Sequence, residues 1–278
     1  MKSIPKIVHF YWGNTILPYL RYMTLYSFKK LNPEWKVILH TPTKLSTLIT
    51  WKETENRLPF NCVSYLDKVE KLGIEIQAFD FEQIGFSNDT SEVIKSDILR
   101  MYLLSTIGGL WSDIDILYYK SLTHTFQNTD HTSYFCYRRG GVSQEDKPKN
   151  GPLYHIIGFL MANENNKHFK LLFDNIKSNI EHNRYQSIGS SYYSQYINMN
   201  DPNIFNIDIQ TLYPIRSPQV MFSYKAIDFN CQLSPHTIGI HWYGGHPHCG
   251  ANQNIINEDN YHTFDNIICK KIKDLVNA

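Results

Sequence analysis

The 278-residue sequence predicts an α/β fold in a single domain, and three features predict it. A strand, a helix and a second strand follow one another within residues 7–40. A later helix runs through a Gly-Gly break directly into another strand. No internal repeat, low-complexity tract or linker divides the chain, so residues 1–278 are taken as one unit. Strand, helix and strand in that order build a parallel βαβ unit, because the crossover returns the chain to the same sheet. A chain of this length buries enough apolar surface for one elaborated domain.

Taken in order, residues 7–11 (Ile-Val-His-Phe-Tyr) read as a first strand, which Gly13 and Asn14 break. Leu20, Met23, Leu25 and Phe28 recur at helical spacing and predict a helix over 18–31, ended by Asn32-Pro33-Glu34. Residues 35–40 read as the second strand. Residues 45–72 read as a helical region with interruptions at Pro59 and Gly73, and 75–79 as a short strand. The clearest helix spans 91–106, with Val93, Ile94, Ile98, Met101, Tyr102 and Leu104 mainly on one side. Gly108 and Gly109 end it, and 111–117 reads as the next strand. Farther on, Arg138-Arg139-Gly140-Gly141 and residues 144–151 form a polar loop, a candidate lid or acceptor-binding segment. Residues 152–162 read as a buried strand or helix, 168–180 and 190–197 as amphipathic helices, and 237–243 as a strand carrying His241.

Composition removes several classes of function. The chain is 42% hydrophobic and 19% charged, as soluble globular proteins are. A net charge of +1 without a Lys/Arg stripe argues against nucleic acid as partner. Lys270-Lys271-Ile272-Lys273 reads as a solvated helix face. No apolar run is long enough to span a bilayer or to act as a signal peptide, so an anchorless protein is expected. Cys62, Cys136, Cys231, Cys249 and Cys269 are widely spaced and form no C-x-x-C. They fit buried thiols in a reducing compartment, so the expected location is the cytoplasm, or a host cytoplasm for a viral source. The Asn-, Ile- and Lys-rich composition is compatible with an AT-rich bacterial or viral genome. Aromatic residues make up 14% of the chain. Most belong to a core; a few suit a groove, where flat rings stack on sugars or a base.

The chemistry concentrates in two neighbouring segments. Asp97 and Arg100 lie three residues apart on the predicted helix and share a face. Beyond the glycines, Asp113 and Asp115 flank one residue at a strand end. Such paired carboxylates are hard oxygen ligands for Mg²⁺ or Mn²⁺, whose shell substrate phosphates complete. The pattern points to a sugar-nucleotide or other diphosphate site, where a metal stabilises the leaving group. No nucleophile elbow or phosphate-binding P-loop is present. His241, His246 and His248 supply a candidate third ligand, His241 foremost, and the adjoining Gly244-Gly245 lets backbone approach phosphate. His246-Pro247-His248 reads equally as an exposed turn.

Three blocks carry a family resemblance: Ile4 to Gly13, Ser96-Asp97-Ile98-Leu99-Arg100, and Gly108-Gly109-Leu110-Trp111-Ser112-Asp113-Ile114-Asp115. In order and spacing they resemble the DXD sugar transferases of glycosyltransferase family 32. They are similar also to the glucosylating domain of large clostridial toxins. The resemblance covers roughly the first half of the chain and returns near His241. It implies a GT-A fold, a nucleotide-sugar-binding Rossmann-like architecture with a mixed central sheet and additional helices. It also implies a metal-dependent retaining transferase, with Mn²⁺ or Mg²⁺ as cofactor. A hexose would pass from a UDP-sugar, or secondly GDP-mannose, to a hydroxyl of a glycan or protein acceptor.

Carried over by position, Trp12 would stack on the nucleobase, with Tyr11 as its substitute. Ser96 would lie near the ribose, Asp97 and Arg100 on the donor sugar, and Trp111 beside it. Asp113 would face ribose and metal, and Asp115 would ligate the metal. These four charged residues, Asp97, Arg100, Asp113 and Asp115, form the expected catalytic set. The family commonly ends on a Ser-x-Trp or Ser-Trp element touching the diphosphate. His241-Trp242-Tyr243-Gly244-Gly245-His246 lacks it, and His246 is the candidate replacement. With no obvious nucleophile, front-face substitution is expected, the leaving phosphate taking the acceptor proton. Two alternatives stand beside this reading. One is a catalytically inactive carbohydrate- or metal-binding protein. The other is a haloacid-dehalogenase-like phosphatase, where Thr or Val would replace Leu117.

Overall fold

The computed structural model describes residues 3–48, 59–123, 126, 130–139, 153–182, 184, 187–215 and 233–278. Strand β1 (Ile7–Tyr11), helix α1 (Tyr19–Leu31) and strand β2 (Lys36–Pro42) form the expected parallel βαβ unit. Pro18 stands at the N-cap of α1, where a fixed φ suits the start of a helix. After the short helix α2 (Leu66–Val69) comes β3 (Glu75–Phe79), parallel to β2. Helix α3 (Glu92–Thr106) then leads into β4 (Gly109–Ser112), and a turn separates β4 from β5 (Ile116–Tyr118). Strands β6 (Ser133–Arg139) and β7 (Leu153–Ala162) form an antiparallel pair. Helices α4 (Lys167–Asp174), α5 (Ile176–Asn179) and α6 (Ser190–Tyr196) precede β8 (Ile204–Asn206). Strand β9 (Gly239–His241) and helices α7 (Pro247–Ile255) and α8 (Ile267–Asn277) complete the described elements.

Seven strands form one mixed sheet in the order β3-β2-β1-β4-β7-β6-β8. Its β3 to β4 half is parallel, and β7 runs antiparallel to both β4 and β6. Strands β5 and β9 make a separate antiparallel ribbon. Successive side chains of a strand face opposite sides, so β1 serves two cores at once. Val8 and Phe10 pack with Leu25 and Phe28 of α1, whereas Tyr11 joins Ile98 of α3, Trp111 and Phe169 of α4. The other side of α1, through Leu20 and Met23, packs on Leu117, Ile240 and Ile268. Helix α1 is therefore covered on two sides, by the sheet and by the C-terminal elements.

The α3–β4 turn depends on its glycines. Gly108 and Gly109 both have positive φ, 73° and 97°. A Cβ on Gly109 would lie 2.5 Å from the carbonyl oxygen of Ile7, so no side chain fits between β1 and β4. The same turn anchors a buried histidine pair. His9 Nε2 lies 3.1 Å from the Gly108 carbonyl oxygen and His9 Nδ1 lies 3.1 Å from His40 Nε2. A carbonyl only accepts, so His9 donates from Nε2 and His40 donates to His9. Burial pushes both imidazoles down, His9 to about 4 and His40 to about 3.

Four expectations need correction. Residues 49–58 lie outside the described residues; of the remainder of 45–72, only Leu66–Val69 and the 3₁₀ turn after it are helical. The single strand expected over 111–117 is two, because the chain turns at residues 113–115 and β5 leaves the main sheet. Arg138 and Arg139 belong to β6 rather than to a loop, while residues 140–152 lie outside the described residues. The helix expected over 168–180 is broken at Asn175, whose side chain bonds back to the Leu171 carbonyl.

Candidate active site

A cavity of about 410 Å³ opens beside the ends of β1 and β4. Among its walls are Trp12, Ser96, Asp97, Arg100, Asp113 and Asp115, which the fold thus brings together from three separate segments. Tyr11 and Trp111 also line it, whereas His246 does not.

Arg100 is the hub on the α3 side. Its Nη2 donates to Asp113 Oδ1 at 3.0 Å, and its Nη1 lies 3.1 Å from Asp97 Oδ1. Its guanidinium also sits 5.0 Å from the ring centre of Trp111. Burial alone would favour the neutral form, but the carboxylates of Asp113 and Asp97 outweigh it and hold Arg100 charged above its ordinary range. The Trp111 indole N–H donates to the same Asp113 oxygen at 3.0 Å. Trp111 is fully buried, so what it offers the site is this hydrogen bond and the support of Arg100. The second Asp113 oxygen faces Gly158 of β7; a Cβ there would lie 2.7 Å from it and 2.9 Å from the Tyr213 hydroxyl.

Asp115 is clasped by the C-terminal block. Its backbone carbonyl accepts from Trp242 N–H, and its Oδ2 accepts from Gly244 N–H at 2.8 Å. Tyr243 between them has a φ of 53°, a left-handed conformation that bulky residues rarely adopt and that turns both flanking amides onto Asp115. His241 Nε2 lies 3.1 Å from Asp115 Oδ1 and Arg21 Nη1 3.8 Å from Oδ2. Burial raises the Asp115 pKa, but His241, Arg21 and the Gly244 amide together hold it well below the usual carboxylate range.

Donor atoms of Asp113, Asp115 and His241 all lie within 4.8 Å of one another, the one such group among the described residues. Two carboxylates and one imidazole suit Mn²⁺, and Mg²⁺ if water supplies further oxygens. Near this wall the buried Nδ1 of His241 and hydroxyl of Tyr213 have no hydrogen-bond partner among the described residues. The residues present fit a divalent cation.

The aromatic residues at the other end are fixed by neighbours. Trp12 donates from its indole to the Ile16 carbonyl at 3.0 Å and packs on Phe60. The Tyr11 hydroxyl bonds to Glu92, whose other oxygen accepts from Ser46 N–H and Lys95. Ser96 is half-buried on the α3 wall. His246 sits in the turn before α7, and its carbonyl accepts from the Cys249 and Gly250 amides. The described cysteines, Cys62, Cys136, Cys249 and Cys269, are all free thiols.

Sequence reading missed Arg21, Gln253, Gly158 and Tyr213. A signal for the first existed: Arg21 is the sole charge between Tyr19 and Phe28 of α1, where a surface helix would carry a polar stripe. For the others, contacts across the whole chain leave no local pattern.

Residues 74–200 match a family model described as capsular polysaccharide synthesis protein. No curated protein sequence matches the chain significantly. Among solved structures, the bifunctional glycosyltransferase WbbM is similar over 100% of this chain and 50% of its own, at 9% identity and a TM-score of 0.50. The galactosyltransferase LgtC, solved with donor and acceptor sugar analogues, aligns over 98% of this chain and 95% of its own at 14% identity, with a TM-score of 0.48. The glycosyltransferase GlyE of Streptococcus pneumoniae aligns over 98% and 64%, at 12% identity and a TM-score of 0.48. The mixed sheet with its flanking helices is the GT-A glycosyltransferase fold. No described helix is long and apolar enough to cross a membrane.

Proposed function

We propose that this chain is a metal-dependent retaining glycosyltransferase of the family 32 type. In this reading it moves a hexose from a nucleotide sugar, UDP-linked in the first instance, to a hydroxyl of a glycan or protein acceptor. The observation that carries it is the convergence of Asp113, Asp115 and His241, the two aspartates lining a cavity that also holds the Asp97–Arg100 pair and His241 standing behind Asp115. The match to a capsular polysaccharide model supports a glycan as acceptor.

In this reading Asp113, Asp115 and His241 would hold Mn²⁺ or Mg²⁺, whose charge would stabilise a departing diphosphate. Trp12, with Tyr11 beside it, receives the base, and Ser96 lies toward the ribose. Asp97 and Arg100 orient the donor sugar as positive charge develops on its anomeric carbon, a positioning and electrostatic contribution. The bond from that carbon to the phosphate oxygen breaks on the face where the acceptor oxygen bonds. The acceptor proton passes to the departing phosphate, so no protein nucleophile is required. His246, in the turn before α7, is not among the residues that line the cavity.

Incubation with a panel of nucleotide sugars and Mn²⁺ tests the reading through release of free nucleoside diphosphate. Release from one UDP-sugar, abolished by chelator, is expected. Trapping of a covalent sugar–protein adduct would replace the front-face route, and no release from any donor would sink the transferase itself.

A further inference from the structure

Arg21 is 7% exposed and lies against the cavity, with its guanidinium between two indole rings, 5.2 Å from the ring centre of Trp12 and 4.9 Å from that of Trp242. Its ion pair with Asp115 is long, at 3.8 Å, and is not a hydrogen bond. Its firm contact is elsewhere: Nε donates to Gln253 Oε1 at 2.8 Å. The amide end of Gln253 donates to the Gly244 carbonyl at 2.9 Å, and Gly244 N–H donates to Asp115 Oδ2 at 2.8 Å. Both partners of Gln253 are unambiguous, since a guanidinium only donates and a carbonyl only accepts, so the orientation of its amide is fixed. A Cβ on Gly244 would run into the Arg21 guanidinium, so this close approach requires glycine.

We propose that Arg21 and Gln253 are positioning residues which set the Asp115 carboxylate through Gly244, held by its carbonyl on one side and donating its N–H on the other. The indole rings hold the guanidinium, the guanidinium fixes Gln253, and Gln253 fixes the carbonyl of Gly244, the residue whose N–H aims at Asp115. The chain of contacts ties α1, near the start of the sequence, to α7, near its end, and its terminus is a metal-ligand oxygen. The inference rests on the reading of Asp113, Asp115 and His241 as a cation site.

Two variants leave the charge of the site unchanged, so their effect reports geometry rather than field. Arg21→Lys keeps the cation and loses the fork; Gln253→Met keeps the volume and loses both hydrogen bonds. Mn²⁺ uptake by the unliganded protein, followed by the electron paramagnetic resonance of free Mn²⁺, needs no turnover. Each variant is expected to bind Mn²⁺ about tenfold more weakly. The double variant should be no weaker than the weaker single, because both act through one chain of contacts. Far-UV circular dichroism verifies the fold, and Gln253→Met decides alone if Arg21→Lys does not fold. Affinities within twofold of the parent, or losses that multiply in the double variant, would overturn the proposal. Failure of the parent protein to take up Mn²⁺ would instead remove the cation site on which it rests.

Discussion

Asp113 and Asp115 stand two residues apart and are held by different parts of the chain. Asp113 takes its hydrogen bonds from Arg100 and Trp111, 13 and 2 residues away, within one helix–turn–strand unit. Asp115 takes its bond from Gly244, 129 residues away, and its other neighbours are the Arg21 guanidinium and the His241 ring. The side chain of Asp113 is 30% exposed and that of Asp115 10%. A local unit can therefore preset one carboxylate, whereas the other requires the completed fold and is buried deeply enough to need its partners.

Alanine at each position separates the two most strongly. Asp115→Ala is expected to cut nucleotide-sugar turnover by on the order of 10³-fold and to lower unfolding stability by about 3 kcal/mol, since the buried Arg21 loses its counter-charge and His241 and the Gly244 amide lose their hydrogen-bond partner. Asp113→Ala should match it in turnover but cost clearly less stability in urea denaturation. Equal stability losses would break the contrast.

Acid should act on the Asp113 side first. His9 and His40 are buried neutral, with pKa lowered to about 4 and 3, so the stability they contribute is complete above the unfolded value near 6.5 and falls as pH drops toward those values. Because His9 holds the Gly108 turn that feeds β4, this loss begins in the unit presenting Asp113. The Asp115 pKa is depressed, so its contribution stays intact until pH falls below the ordinary carboxylate value of roughly 3.9. Urea denaturation at pH 7 and pH 5 should differ by roughly 2–4 kcal/mol. His9→Gln should flatten that slope; an unchanged slope would remove the histidines from the account.

The glycines offer a finer comparison. Gly158→Ala would press on Asp113 and Tyr213, and Gly244→Ala on Arg21. Each should destabilise by about 1–3 kcal/mol, with only Gly244→Ala also disturbing the fluorescence of the Trp12–Trp242 pair around Arg21. Trp111→Phe is the mildest test. It removes one hydrogen bond to Asp113 and part of a buried ring, and should slow turnover severalfold and cost about 1 kcal/mol of stability.

The same distinction governs what was legible in the sequence. Asp97 and Arg100 declared themselves by spacing, Gly108 and Gly109 by following a helix, and β1–α1–β2 by its alternation of patterns. All of these are contacts or conformations set within a few residues. The turn at residues 113–115 was hidden because buried Ile114 continues the apolar run of a strand. Residues 45–72 read as helical, yet outside Leu66–Leu72 the described part takes its order from tertiary bonds, such as that of Ser46 to Glu92. Arg21 left only its lone charge on an otherwise uncharged stretch of α1, and Gln253, Gly158 and Tyr213 left no local signature, since their partners arrive from distant segments.

The β5–β9 ribbon carries a consequence in time. While the chain is being made, the parallel half of the sheet has every residue it needs once β4 has emerged, and Asp113 can settle against Arg100. Asp115 waits until residues 239–253 have docked, more than 120 residues later, given the separation between it and Gly244. Long-range pairings of this kind form late in folding. The proposed cation site is thus finished last, and a chain halted before that point carries a built sheet but an open clasp.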